Sequence, residues 1–98
     1  MRSVMESWRP FRRPTQMRIT LSALGRRMDV SLLDVSESGM KLTYPDLLPT
    51  DALVEVSTPR IARTGRVRWS RQGALGVTLT EPLSLAEQAE LAGMSWGY

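Results

Sequence analysis

The sequence contains neither cysteine nor histidine among its 98 residues. This excludes disulfides, thiol nucleophiles, imidazole bases, histidine-based catalytic triads and zinc sites of the Cys/His type. We therefore expect neither an enzyme nor a metal or cofactor site. No apolar run approaches the roughly 20 residues of a membrane span, and no apolar segment follows the N-terminal arginines. The sequence thus predicts a cytoplasmic protein without membrane insertion, large enough for one hydrophobic core.

Lysine is almost absent, because 12 of the 13 basic residues are arginine and only Lys41 is lysine. The planar, always-charged guanidinium suits bidentate recognition of phosphate and guanine, although GC-rich coding also raises arginine content. Residues 1–27 hold seven arginines and one acid, and residues 60–71 hold five arginines and no acid. An arginine-rich N-terminal segment is typical of an arm that binds an anionic partner, but also of a solvated basic tail.

Most of the chain alternates apolar and polar residues with a period of two, the pattern of half-buried strands. Turn-forming residues separate about six such segments between Met17 and Leu79. Ser84 and Glu87 then fit a capping box that begins a short helix, and Gly93 suits its C-terminal cap. The predicted fold is all-β, an antiparallel barrel or sandwich followed by one helix. We expect an arm at residues 1–14, the strand domain at 15–83, and the helix and tail at 84–98.

Two short motifs contain the residues from which a ligand can be predicted. Arg9 and Arg13 form an R-x-x-x-R motif, and Asp34, Ser36 and Gly39 form a D-x-S-x-x-G motif. One predicted hairpin separates them, so the arm and the turn can lie side by side. Guanidinium pairs bind phosphate, and an ionised carboxylate accepts hydrogen bonds from the guanine edge. The glycine allows either a positive φ or a close backbone approach. Together the motifs predict a small guanine nucleotide as the ligand.

In this order, and with the late segments Gly65–Trp69 and Gly73–Val77, the motifs resemble the signature of PilZ domains. These are bacterial receptors for cyclic di-GMP, and the resemblance covers residues 9 to about 83. It implies a six-stranded antiparallel β-barrel with a short C-terminal helix and a non-enzymatic receptor function. Ligand binding is expected to order the arginine arm over the D-x-S-x-x-G turn. The changed surface would then be shown to a downstream protein partner.

The resemblance also implies which residues bind the ligand. The arm arginines are expected to hold phosphate and guanine, the turn residues to bind a guanine edge, and one aromatic to lie near the ligand. These ligand-binding candidates are Arg9, Arg12, Arg13, Asp34, Ser36, Gly39 and Trp69. Simpler roles remain open for some of them. Asp and Ser in turns often bond local backbone, and the alternation of Trp69 with Val67 favours packing in the core.

Two other functions compete with the receptor hypothesis. Trp8 stands where many cyclic di-GMP binders carry a further arginine, and Pro10 lies inside the first motif, which favours a protein-interaction module that binds no nucleotide. A general nucleic-acid-binding face is the third hypothesis. Single-strand binders usually add aromatic stacking platforms, but Trp69 is predicted on the face opposite Arg66 and Arg68, so we expect neither DNA nor RNA. The basic residues of that face are Arg63, Arg66, Arg68 and Arg71.

Overall fold

The computed structural model describes residues 17–93 in full and the backbone of residues 13–14. These residues form seven strands and one helix. The strands are β1 Arg13–Pro14, β2 Arg18–Ala23, β3 Arg26–Val35, β4 Gly39–Thr43, β5 Leu53–Ser57, β6 Ala62–Arg71 and β7 Ala74–Leu79, and the helix is α1 Leu85–Leu91. Within these described ranges, no helix is long and apolar enough to cross a membrane.

Strands β2 to β7 form a closed antiparallel barrel, which confirms the predicted fold class. The strand order is β3-β2-β5-β6-β7-β4, and pairing of β4 with β3 closes the barrel, so that no long edge is left exposed. Inward-facing aliphatic side chains fill the interior because alternate residues of each strand point to the same side. The most deeply buried of them are Leu21, Leu32, Leu42, Leu75, Val35, Val54, Val56 and Val67, and Leu91 of the helix is buried as deeply.

Strands β2 and β3 are joined by a two-residue turn that places a bulky residue in left-handed backbone. Ala23 pairs with Arg26, and the intervening Leu24 and Gly25 have φ angles of 51° and 78°. Positive φ at both central residues is typical of a type I′ turn, for which Asn-Gly is preferred. The Leu24 side chain is also 67% exposed, so packing compensates little of its backbone strain.

Replacing Leu24 with asparagine is expected to stabilise the protein by about 0.5–1 kcal/mol, because asparagine tolerates the left-handed region better than leucine. Urea unfolding of Leu24→Asn beside the parent protein measures the change. Leu47→Asn is the matched control, since Leu47 is 68% exposed and is not among the residues with positive φ. Equal stabilisation by both substitutions would show that removal of an exposed leucine, and not the turn, is responsible.

Two β-bulges interrupt the alternation of the strands. One lies in β3 between Leu32 and Asp34, and the other lies in β6 between Val67 and Trp69. A bulge adds one residue to its strand and thereby changes which side of the sheet the next residues face. Leu32 and Val67 point into the core, whereas Asp34 and Trp69 pair with the outward positions of neighbouring strands. The prediction that Val67 and Trp69 share one face is therefore wrong.

The helix is fixed to the barrel through Glu87. Ser84 and Glu87 form the predicted capping box, with the Glu87 amide donating to Ser84 Oγ at 3.0 Å and the Ser84 amide donating to Glu87 Oε1 at 2.9 Å. Arg63 of β6 donates from Nη2 to both Glu87 oxygens, at 2.8 and 3.1 Å. The backbone hydrogen bond from Ser84 and the charge of Arg63 lower the pKa of Glu87 below its usual 4.5, although desolvation opposes them.

The Arg63–Glu87 pair should make stability depend on pH. A carboxyl whose pKa is lowered by folding stabilises the protein above its unfolded pKa and loses that contribution as pH falls through the folded pKa. Arg63→Gln is expected to cost about 1.5–3 kcal/mol at pH 7 and less at pH 3, because Glu87 loses its charge as pH falls through its folded pKa. Urea unfolding at both pH values measures this. Arg60→Gln is the control, because its 3.7 Å pair with Glu90 is largely exposed and should matter little at either pH.

Candidate functional site

A groove of about 400 Å³ lies on the outside of the barrel, across β3, β4, β7 and β6. It brings together four of the seven ligand-binding candidates, and its lining comes from three separate parts of the sequence. Its lining consists of Asp34, Val35, Ser36, Ser38, Gly39, Met40, Lys41, Arg68, Trp69, Gly76, Val77 and Thr78. Carboxylate, hydroxyl, cationic and aromatic groups therefore meet on one surface, a mixture that suits a polar ligand with a planar ring.

One row of cross-strand neighbours forms the floor of this groove. Asp34 pairs with Lys41, Lys41 pairs with Gly76, and Gly76 pairs with Trp69. Adjacent strands are about 4.8 Å apart, so the backbones of Asp34 and Trp69 stand roughly 14 Å apart along the row. The single lysine of the sequence lies between them and is exposed.

The two bulges create the row. If β3 alternated regularly through Leu33, Asp34 would face the same side as Leu32, whose side chain is fully buried. If β6 alternated regularly through Arg68, Trp69 would face the same side as the fully buried Val67. Bulges commonly redirect a side chain next to a functional site. Asp34 and Trp69, the two ends of the row, therefore face outward because each follows a bulge in its own strand.

The turn between β3 and β4 is shorter than the sequence suggested, since β3 continues to Val35 and Asp34 lies within a strand. The Ser36 amide donates to the Gly39 carbonyl at 2.9 Å, and the Ser36 hydroxyl makes a longer bond of 3.4 Å to the same oxygen. Ser36 therefore bonds local backbone while its side chain still lines the groove. Two further backbone bonds fix the turn, from the Leu79 amide to Ser38 and from the Leu83 amide to Glu37.

Gly39 is required for space and not for an unusual backbone angle. It is not among the glycines with positive φ, so the first of its two predicted roles is wrong. A Cβ at this position would lie 3.3 Å from the Val77 carbonyl oxygen and 3.6 Å from Ser36 Oγ. Glycine therefore lets the turn approach β7 closely, which is the second predicted role.

Trp69 is half-buried on the outer face of the barrel and does not belong to the core cluster. The core packing that its alternation with Val67 favoured is thus wrong, because the bulge turns the indole outward. The ring lies against Gly76, where an added Cβ would overlap Nε1, Cε2 and Cδ1 of the indole. The guanidinium carbon of Arg71 stands 5.0 Å from the ring centroid, within cation–π range.

The end of the arm enters beside the groove. In the β1–β3 pairing, Arg13 lies opposite Val35 and Pro14 lies opposite Asp34. The backbone of Arg13, the last residue of the R-x-x-x-R motif, thus adjoins the D-x-S-x-x-G motif, as the hairpin argument anticipated. Arg9 and Arg12 lie outside the described residues, as does the side chain of Arg13.

Among the groove residues that sequence reasoning did not assign to the site are Lys41, Arg68 and Gly76. A glycine inside a strand marks a bulge or a close approach, and this signal could have identified Gly76. Lys41 occupies an outward position of a predicted strand, but alternation alone gives no reason to place it in a site. Arg68 is the residue inserted by the β6 bulge, which the sequence pattern conceals.

The basic face proposed for nucleic-acid binding differs in its residues from the one that the sequence predicted. Arg63 is held by Glu87 and its side chain is only 19% exposed, so it is not available to a ligand. Trp69, by contrast, lies on the same outer surface as Arg66 and Arg71, contrary to prediction. Within residues 17–93 no group of three or more acidic side chains is arranged to hold a metal ion.

The closed barrel and its external polar groove define a small β-barrel domain with a polar groove on its outer surface. The sequence matches the PilZ domain family over residues 6–95, and the protein belongs to this family, as its motifs predicted. PilZ domains are generally non-catalytic adaptors that bind cyclic di-GMP. A comparison with curated proteins finds no match.

Proposed function

We propose that this protein is a non-enzymatic cyclic di-GMP receptor that passes the signal to a partner protein. One observation carries the proposal. The backbone of Arg13 pairs beside Asp34 at the rim of a groove that also contains Ser36, Gly39 and Trp69. The last residue of the first motif and the whole second motif thus lie at one surface of the barrel.

The groove offers complementary partners for each part of the ligand. The Asp34 carboxylate can accept hydrogen bonds from N1–H and N2–H₂ of guanine, and the Ser36 hydroxyl can donate or accept beside it. Lys41 and Arg68 place positive charge along the floor and the far wall of the groove, where they can balance the phosphates of the ligand. Arg9, Arg12 and Arg13 would add phosphate and guanine contacts from the arm.

The charge of the N-terminal arm suggests how the signal is passed on. The N-terminal 27 residues carry seven arginines against one acid, so binding of a doubly charged anion relieves their mutual repulsion. Ligand binding would fix the arm over the groove and change the surface that the barrel shows to its partner. In this proposal the partner recognises the barrel only in its ligand-bound form.

Isothermal titration calorimetry with cyclic di-GMP tests the proposal, with GTP and cyclic di-AMP as controls for phosphate charge and for the base. We expect saturable binding of cyclic di-GMP and at least tenfold weaker binding of both controls. NMR shifts should map to residues 34–41 and to Trp69. Absence of both heat and shifts would refute receptor function and favour the interaction module that binds no nucleotide.

A further inference from the structure

The Trp69 indole has little free face to offer a nucleobase. The atoms nearest to a Cβ placed on Gly76 are three members of the five-membered ring, so the indole presents one face to strand β7. The Arg71 guanidinium stands over the ring at 5.0 Å from its centroid. Since the backbone of β7 occupies the inner side, the guanidinium covers the side that faces solvent.

Arg71 is placed differently from the other arginines of β6. Arg63 is bound to Glu87, and Arg66 donates from Nη1 to the Asp51 carbonyl at 3.0 Å. Arg71 is exposed and pairs with the small Ala74. This pair is the next one along the strands on the same face as Trp69 and Gly76. The glycine, the indole and the guanidinium therefore form successive layers, of which the first two line the groove.

We infer that Arg71 is a ligand-binding residue whose guanidinium, supported by Trp69 and Gly76, provides the surface on which a guanine base stacks. A planar guanidinium stacks on aromatic and base faces and also carries the charge that attracts phosphate. Trp69 then acts as a positioning residue that holds Arg71 in place. The inference rests on the proposed function, because it names a further contact of the same ligand.

The first measurement needs no ligand. In a Trp8→Phe, Trp96→Phe background the only remaining tryptophan is Trp69. If Arg71 covers the ring, Arg71→Ala should shift the Trp69 emission to longer wavelength and increase its quenching by acrylamide. Arg27→Ala is the matched control, since Arg27 is exposed on β3 and should change neither quantity. Unchanged emission and quenching in Arg71→Ala would refute the layered arrangement.

The second measurement is the affinity for cyclic di-GMP. Arg71→Ala is expected to weaken binding roughly 5- to 100-fold, the effect typical of losing one base-stacking contact. Arg71→Lys should recover only part of the loss, because it retains the charge without the planar group. Arg27→Ala should bind like the parent protein.

The outcomes separate the two proposals. Failure of the parent protein to bind refutes the proposed function, and the stacking role of Arg71 fails with it. Normal binding by the parent protein together with equal or tighter binding by Arg71→Ala refutes Arg71 alone. Tighter binding would mean that Arg71 competes with the base for the indole face.

Discussion

Replacing Asp34 with alanine should reduce the affinity for cyclic di-GMP by on the order of a hundredfold or more, because two charge-assisted hydrogen bonds to guanine are lost together. The barrel itself should remain folded, since Asp34 is half-buried on the outer face and is not part of the apolar core. Calorimetry with cyclic di-GMP measures the affinity, and circular dichroism checks the fold. Arg13→Ala should cause a loss of similar size from the other motif.

The chain provides a matched control for each of these variants. Asp29 lies in the same strand as Asp34 but is exposed, and it accepts a 3.3 Å hydrogen bond from the Thr20 hydroxyl. Arg18 is exposed at the start of β2 and serves the same purpose for Arg13. Asp29→Ala and Arg18→Ala should bind nearly normally. Parent-like affinity in both Asp34→Ala and Arg13→Ala would contradict the assignment of the site.

Gly65→Ala should destabilise the fold by about 3 kcal/mol, the upper part of the range for overpacking a well-packed core. A Cβ at Gly65 would lie 2.6 Å from the Thr78 carbonyl oxygen and 2.7 Å from Val77 Cγ1. The first contact is with backbone of the paired strand β7, so a change of side-chain rotamer cannot relieve it. For a domain of this size, the loss corresponds to a melting temperature lower by more than 10 °C, roughly.

Thermal unfolding followed by circular dichroism measures this effect. Gly39→Ala is the control, because its backbone angle is also ordinary and its added Cβ would lie 3.3 Å from the Val77 carbonyl oxygen. That contact is tight but needs a shift of only a few tenths of an ångström. Gly39→Ala should therefore cost clearly less than Gly65→Ala, and the reverse order would show that space next to β7 does not limit the fold.

The strands and the helix were predictable because each depends on local sequence. Alternating residues fix the inward and outward faces, and the Ser84–Glu87 pair satisfies its capping bonds within four residues. The juxtaposition of Arg13 and Asp34 was predictable too, since a single hairpin joins them. Closure of the barrel through β3 and β4 followed from the family resemblance, because alternation alone also permits a sandwich.

The side of the sheet that Trp69 faces was not predictable, because a bulge leaves no mark in the alternation of apolar and polar residues. Val67 and Trp69 are two residues apart, and regular geometry places them on one side of the sheet. Only the pairing with β7, where Val77 and Gly76 are adjacent, shows that Arg68 is the inserted residue. The place of Lys41 between Asp34 and Gly76 is likewise set by pairing between strands, which no single segment encodes.

The bulges separate the spacing of the groove residues in the sequence from their spacing in the sheet. Loss of the codon for Leu33 or Arg68 would remove the extra residue and leave Asp34 or Trp69 directly after an inward-facing residue, still on the outer face of the barrel. A homologue whose strand is one residue shorter at either point can therefore keep the same groove. Pairing between strands, and not the number of residues between motifs, is the quantity to compare when receptor function is assigned across related genes.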